Sequence, residues 1–171
     1  MVEGAIRVPW WKYASVTVPA IILLGWASGW SSGSGDGNAW FDSLQKPFFM
    51  PPGWVFGVIW PILYALLGVA AALVLAEPAS PARNKALVLF AAQLALNYAW
   101  SPLFFAAHAV KLALVTIFVM AALAAMTAGQ FWHIRRVAGA LMLPYLAWLC
   151  FAAALNAAIE RLNPGADALL G

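Results

Sequence analysis

Five long apolar segments without a charged residue constrain this sequence more than any other feature. They cover residues 13–30, 55–76, 86–107, 112–132 and 137–159, and none contains Asp, Glu, Lys or Arg. A helix that crosses the hydrocarbon core of a bilayer needs about 20 predominantly apolar residues. We therefore predict an all-α integral membrane protein, built as a bundle of five transmembrane helices.

The overall composition favours the same class of protein. Of the 171 residues, 65% are hydrophobic and only 9% are charged, whereas soluble domains carry about 25% charged residues. The length fits a single domain over residues 1–171. A net charge of +3 does not indicate nucleic-acid binding, and the single Cys150 excludes an intrachain disulfide. The spacing of Cys and His predicts no metal site.

The distribution of Lys and Arg predicts the orientation of the bundle. The side that holds the N-terminus carries six of the nine basic residues, among them Arg7 and Lys12, and the other side carries three. By the positive-inside rule, an inner or plasma membrane would place the N-terminus in the cytoplasm. The first apolar run is too long for a signal peptide, and its bulky Trp26 and Trp30 make a poor cleavage site. The C-terminal tail, residues 160–171, is expected to be frayed.

An aromatic and proline-rich stretch connects the first two spans. After the Gly/Ser linker at 31–38, the sequence reads WFDSLQKPFFMPPGWVFGVIWPILY over residues 40–64. Pro51 and Pro52 cannot lie inside a helix but fit a first helical turn. We therefore expect a short turn at 40–45 and a second span that begins near Pro52. The loop is predicted to fold as a lid over the mouth of the bundle.

Neutral polar and aromatic residues lie at membrane depth on three of the predicted helices. They are Trp60 and Tyr64 on the second span, Gln93, Asn97 and Trp100 on the third, and Tyr145, Trp148 and Asn156 on the fifth. One interpretation is that the amides join helices and the tryptophans form interfacial belts. Belts suit Trp60 and Trp148 poorly, because both lie well inside their spans. The other interpretation is a pocket for a large, flat, apolar ligand. The residues alone leave both open.

Charged groups and small residues add two further indications. The spans contain no ionisable carboxylate or amine, so the sequence predicts no proton relay and no acid–base pair. His108 and His133 lie near helix ends, where a solvated role is favoured over haem ligation. A stripe of small residues on the third span, Ala91, Ala95 and Ala99, predicts either a homodimer contact or ordinary packing inside the bundle.

Three blocks of sequence resemble the translocator protein/tryptophan-rich sensory protein family, also called the TspO/MBR or peripheral-type benzodiazepine receptor family. They are residues 40–64, AQLALNYAWSPLFF at 92–105, and LPYLAWLCFAAALN at 143–156. The resemblance implies a five-helix bundle, commonly a homodimer, with a ligand cavity between helices that the first loop closes.

The resemblance also implies ligands and residue roles. Family members bind porphyrins and haem, isoquinoline and benzodiazepine drugs and, in many cases, sterols, and some bacterial members promote light-dependent degradation of protoporphyrin. The tryptophans tied to that chemistry match Trp60 and Trp148, which are the candidate catalytic residues. The candidate ligand-binding residues are Trp40, Pro47, Phe56, Trp60, Tyr64, Asn97, Trp100, Tyr145, Trp148, Leu155 and Asn156. The family's sterol motif needs an aromatic residue between Leu155 and Arg161 that this chain lacks, so sterol binding there is not expected.

The sequence therefore predicts a membrane protein that binds protoporphyrin, haem and similar flat apolar molecules inside its helix bundle. It would act in tetrapyrrole-linked or stress-linked regulation or transport, with the tetrapyrrole as ligand and no required cofactor. One alternative is a light-dependent porphyrin-degrading enzyme that uses Trp60 and Trp148. A second alternative is a ligand transporter, which the absence of coupling-ion residues in the spans disfavours.

Overall fold

The computed structural model describes residues 9–168, so Arg7 of the orientation argument and tail residues 169–171 lie outside it. Within this range the α-helices are α1 (Trp10–Ser31), α2 (Ala39–Ser43), α3 (Gly53–Leu75), α4 (Pro81–Ser101), α5 (Val110–Ile134), α6 (Arg136–Ala140) and α7 (Leu143–Leu162). A π-helical turn, Pro102–Ala106, extends α4. Counted with that turn, and with α6 and α7 joined, the described residues form five helices long and apolar enough to cross a membrane. The predicted all-α fold with five spans is confirmed.

The largest difference from the predicted boundaries lies at the start of α4. The helix begins at Pro81, before the predicted residue 86. Ser80 caps it, since its hydroxyl oxygen accepts a hydrogen bond of 3.1 Å from the Arg83 N–H, and proline is well suited to a first helical turn. The predicted span started at residue 86 because it excluded charged residues. The cap at Ser80 instead places Arg83 and Lys85 on the helix itself.

A proline also shapes the other end of α4. Pro102 has no N–H, so it leaves the carbonyl of Tyr98 without its usual helical donor. The Ser28 hydroxyl of α1 donates to that carbonyl at 2.5 Å, while the Ala107 N–H bonds the Pro102 carbonyl at 2.9 Å. The wider turn brings two consecutive aromatic residues, Phe104 and Phe105, into the core.

Close backbone packing joins α1 to α3. The Thr17 hydroxyl donates to the Gly68 carbonyl at 2.7 Å. A Cβ atom at Gly68 would lie 2.7 Å from the Cα of Val18, a distance that real Cβ atoms do not reach. Glycine at this position therefore lets the two helices approach, as small residues do in membrane bundles.

The small-residue stripe on α4 points away from the bundle. Ala91 and Ala95 are exposed and Ala99 is half-buried, whereas Gln93 and Asn97 on the opposite face are buried. The stripe is thus available to lipid or to a second copy of the chain. The homodimer contact stays a prediction.

The tail after α7 is docked against the body of the protein. The Asp167 carboxylate accepts a hydrogen bond of 2.7 Å from the Lys111 N–H at the start of α5, where an acidic group stabilises the exposed helix donors. The Ala168 N–H donates to the His108 carbonyl at 3.1 Å. The expectation of a frayed tail is therefore wrong for residues 160–168, because it rested on the shortness of the segment and did not include these long-range partners.

Candidate functional site

The lid, residues 40–52, lies across the end of the bundle where α3 begins and α7 ends. It starts in the short helix α2, which Asn38 caps by accepting from the Phe41 N–H at 3.0 Å. Trp40 stacks on His108 with ring centroids 4.1 Å apart and an interplanar angle of 12°. Pro47 is buried. The predicted turn at 40–45 and the helix that begins after Pro52 are both found.

A cluster of phenylalanines lies directly beneath the lid. Phe41 and Leu44 of the lid pack with Phe104, Phe105 and Leu155. Trp100 stacks on Phe104, with centroids 5.1 Å apart. Predicted ligand contacts Trp40, Trp100 and Leu155 therefore belong to the packing that seats the lid.

The two tryptophans singled out by their depth face each other across α3 and α7. The rings of Trp60 and Trp148 meet edge to face, with centroids 6.4 Å apart and an interplanar angle of 85°. Phe56 lies edge-on to Trp148 at 5.8 Å, and Phe151 contacts the same indole at 5.2 Å. Since both tryptophans are half-buried and pack inside the bundle, they do not form an interfacial belt.

An apolar hollow of about 430 Å³ lies beside this pair, between α3 and α7. Its lining residues are Ile59, Ile62, Leu63, Leu66, Pro144, Ala147, Trp148 and Phe151. The volume falls in the range of roughly 300–1,000 Å³ that is typical of small-molecule sites. Ile62 and Ala147 are exposed, so the hollow opens at the surface of the bundle, and its walls carry no charged side chain.

A larger depression of about 590 Å³ lies on the outer side of the lid. It is formed by the Gly/Ser linker together with Trp40 and His108. Those two rings already stack on each other, and the remaining walls are small and polar. The depression therefore lacks the aromatic faces that a flat apolar ligand requires.

Three predicted polar residues bind one another in a buried chain. The Tyr64 hydroxyl donates to Asn97 Oδ1 at 2.7 Å, and Asn97 Nδ2 donates to the Tyr145 hydroxyl oxygen at 3.0 Å. All three side chains are buried. Because the chain links α3, α4 and α7, it fixes the relative positions of the helices that surround the tryptophan pair.

The Asn156 side chain bonds the main chain of a neighbouring helix. Its Nδ2 donates to the Val110 carbonyl at 3.0 Å, which ties α7 to the start of α5. Its Oδ1 is buried and has no partner among residues 9–168. Asn156 thus joins two helices near the lid, as the helix-joining interpretation of the amides predicts.

Several buried donors in the described part of the chain lack a hydrogen-bond partner. They are Nε of Arg83, Nε1 of Trp100, Nε1 of Trp148 and the side-chain amide of Gln93. An unpaired buried polar group costs roughly 1–3 kcal/mol. Such groups are the ones that a bound molecule or an internal water would satisfy. The Trp148 indole combines an unpaired N–H with a place in the wall of the hollow.

Of the predicted site residues, only Trp148 lines the hollow. Trp60 and Phe56 contact the Trp148 ring but do not line the hollow. Sequence reasoning missed the other seven wall residues, which are Ile59, Ile62, Leu63, Leu66, Pro144, Ala147 and Phe151. The spacing of Phe151 from Trp148, one helical turn, was the signal that could have found it.

The fold and this site define a class: a multi-pass membrane protein with an apolar, charge-free hollow between two of its helices and a proline-rich lid at the nearby end of the bundle. The TspO/MBR family matches residues 16–162. The chain is 40% identical to the human Translocator protein over 134 residues, 77% of this chain and 79% of that protein. It is also 40% identical to the Tryptophan-rich sensory protein of Cereibacter sphaeroides over 126 residues, 74% and 78% of the two chains. Protein CrtK of Rhodobacter capsulatus is 36% identical over 132 residues, 75% and 81%. The chain belongs to the TspO/MBR family.

Proposed function

We propose that this protein binds a tetrapyrrole such as protoporphyrin or haem at the hollow between α3 and α7, and that binding serves a sensory role in the membrane. The observation that carries the proposal is the contact between Trp60 and Trp148 beside an apolar hollow of about 430 Å³. A flat macrocycle offers aromatic faces of the kind that indoles and phenylalanines stack against. The names of the sensory-protein and CrtK relatives fit such a role.

The available hydrogen-bond donors also suit a ligand with acceptor groups at its rim. The Trp148 Nε1–H is buried and unpaired among the described residues, so a carbonyl or carboxylate oxygen of the ligand would satisfy it. In contrast, Asn97 uses its amide within the protein. We therefore assign ligand recognition to the indoles, and assign to the Tyr64–Asn97–Tyr145 chain the role of holding the helices in place.

The proposal predicts saturable binding of protoporphyrin IX to the purified protein in detergent or lipid nanodiscs. The porphyrin would quench the emission of the 10 tryptophans and its Soret band would shift to the red, because the ring moves from water into an apolar site. A linear, unsaturable change that equals the change in empty nanodiscs would contradict the proposal.

A second function is favoured by the direct contact of the two indoles. An indole in the wall of the hollow is placed to give an electron to a photoexcited porphyrin, and its neighbour 6.4 Å away can share the resulting hole. Illumination of the complex in the presence of oxygen would then yield new absorbing products that are lost in Trp148→Phe. Equal bleaching by the two proteins would leave binding as the function.

A further inference from the structure

The segment that follows α7 lies across the mouth of the bundle. Its Asn163 side chain binds the main chain of the lid. Asn163 Oδ1 accepts from the Gln45 N–H at 2.7 Å, and Asn163 Nδ2 donates to the Gln45 carbonyl at 2.9 Å. The two residues are 118 positions apart in the sequence. One side chain thus satisfies both backbone groups of a lid residue.

The geometry of Asn163 is fixed from the side of α7. Its Nδ2 also lies 2.8 Å from the Ile159 carbonyl, and its own N–H bonds the same carbonyl at 3.1 Å. The asparagine therefore caps the C-terminal end of α7, and contacts within α7 orient its side chain independently of the lid. A side chain positioned in this way loses little conformational freedom when the contact forms.

Ala168, the last described residue of this segment, is attached beside the first half of the lid. Ala168 donates to the carbonyl of His108, whose ring stacks on Trp40 at 4.1 Å. Asp167, which is buried, bonds the Lys111 N–H. Residues 163–168 therefore link the end of α7 to the turn between α4 and α5. Along this path they lie close to both places where the lid contacts the bundle.

The first half of the lid is packed more deeply than the second half. Phe41 and Leu44 are buried in the aromatic cluster below, so packing fixes the first half. In the second half Phe48 is fully exposed, whereas Phe49 is 37% exposed. Beyond Gln45, this half rests on the buried Pro47, on the half-buried Met50 at the edge of the same cluster, and on an edge contact between Phe49 and Phe151 at 6.3 Å. Its prolines stiffen it, so it would move as one unit.

We propose that residues 163–168 act as a latch that keeps lid residues 45–52 closed, with Asn163 as the positioning residue, and that release of this latch sets the rate of ligand exchange through the mouth of the bundle. The inference rests on the proposed function for its ligand. The lid reaches the site directly, because Phe49 lies against Phe151, which lines the hollow beside Trp148. A large ligand that enters from this end has to displace residues 45–52.

The test compares the full-length wild type with Asn163→Ala by amide hydrogen exchange without ligand. Loss of both hydrogen bonds at the aqueous end of the bundle is expected to accelerate exchange about tenfold at the two hydrogen-bonded amides of this segment, Gln45 and Met50. Residues 39–44, which packing holds, should stay unchanged. Asn84→Ala is the matched control, since Asn84 is an exposed asparagine at the opposite end of the bundle. Unchanged exchange at 45–52 in Asn163→Ala overturns the latch.

A second measurement connects the latch to the ligand. Dissociation of protoporphyrin, followed by its transfer to excess apomyoglobin, should become faster by a similar factor in Asn163→Ala. Asn163→Asp keeps an acceptor for the Gln45 N–H but sets a carboxylate oxygen against the Gln45 and Ile159 carbonyls, so it should also speed dissociation and covers the case in which the alanine variant folds poorly. Faster lid exchange with unchanged ligand dissociation would overturn the gating role. Wild-type protein that binds no protoporphyrin would refute the proposed ligand and leave the hydrogen-exchange test intact.

Discussion

Replacement of both Trp60 and Trp148 by alanine is expected to weaken protoporphyrin binding by about 10- to 100-fold. Each aromatic contact contributes roughly 0.5–1.5 kcal/mol beyond the area it buries, and each 1.4 kcal/mol is a factor of about ten in Kd. Trp148 forms part of the wall of the hollow and Trp60 supports it edge to face. The Soret shift is the suitable measurement, because the substitutions remove two of the protein's own fluorophores.

Trp54→Ala is the matched control for this experiment. Trp54 lies on α3, as Trp60 does, but is 71% exposed and has no place in the wall of the hollow. It should bind protoporphyrin as the wild type does. Circular dichroism would establish that the double variant keeps its helices. Wild-type affinity in the folded double variant, or an equal loss in Trp54→Ala, would show that the hollow is not the porphyrin site.

The features that could be predicted from the sequence are those that the bilayer dictates locally. A span must be long, apolar and free of charge, so the five spans were evident from residue type alone. The effect of Pro51 and Pro52 on the start of α3 is equally local. Trp60 and Trp148 stood out because their depth in the spans does not depend on the arrangement of the helices.

The features that could not be predicted depend on which groups meet in three dimensions. The sequence placed Tyr64, Asn97 and Tyr145 on inward faces, and so each was a candidate donor to a ligand. Only the rotation and separation of α3, α4 and α7 bring them within 2.7 and 3.0 Å of one another, which uses the amide inside the protein. The docked tail has the same origin, since Asn163 finds its partner 118 residues away.

The role assigned to Asn97 leads to a prediction about stability. Asn97→Leu, which keeps the approximate volume, leaves the buried hydroxyls of Tyr64 and Tyr145 without their shared partner. An unsatisfied buried group costs roughly 1–3 kcal/mol, whereas interhelical hydrogen bonds in membranes average about 0.6 kcal/mol because the dissociated helices find other partners. We expect the free energy of unfolding to fall by about 2 kcal/mol, as measured by titration with dodecyl sulfate in mixed micelles.

The triple variant Tyr64→Phe/Asn97→Leu/Tyr145→Phe separates the cost of unpaired hydroxyls from the cost of a changed shape. It removes every side-chain polar atom of the hydrogen-bonded set Tyr64–Asn97–Tyr145, so no hydroxyl of that set remains unsatisfied. It should therefore recover most of the stability that Asn97→Leu loses. Removal of both partners of a buried hydrogen bond is often nearly neutral for this reason. We assign ligand recognition to the indoles and not to these three hydrogen-bonded residues. The Kd of the triple variant for protoporphyrin should therefore stay within a factor of about three of the wild-type value, well below the tenfold change that 1.4 kcal/mol represents. A large loss of affinity in a stable triple variant would instead place the Tyr64–Asn97–Tyr145 chain in direct contact with the porphyrin.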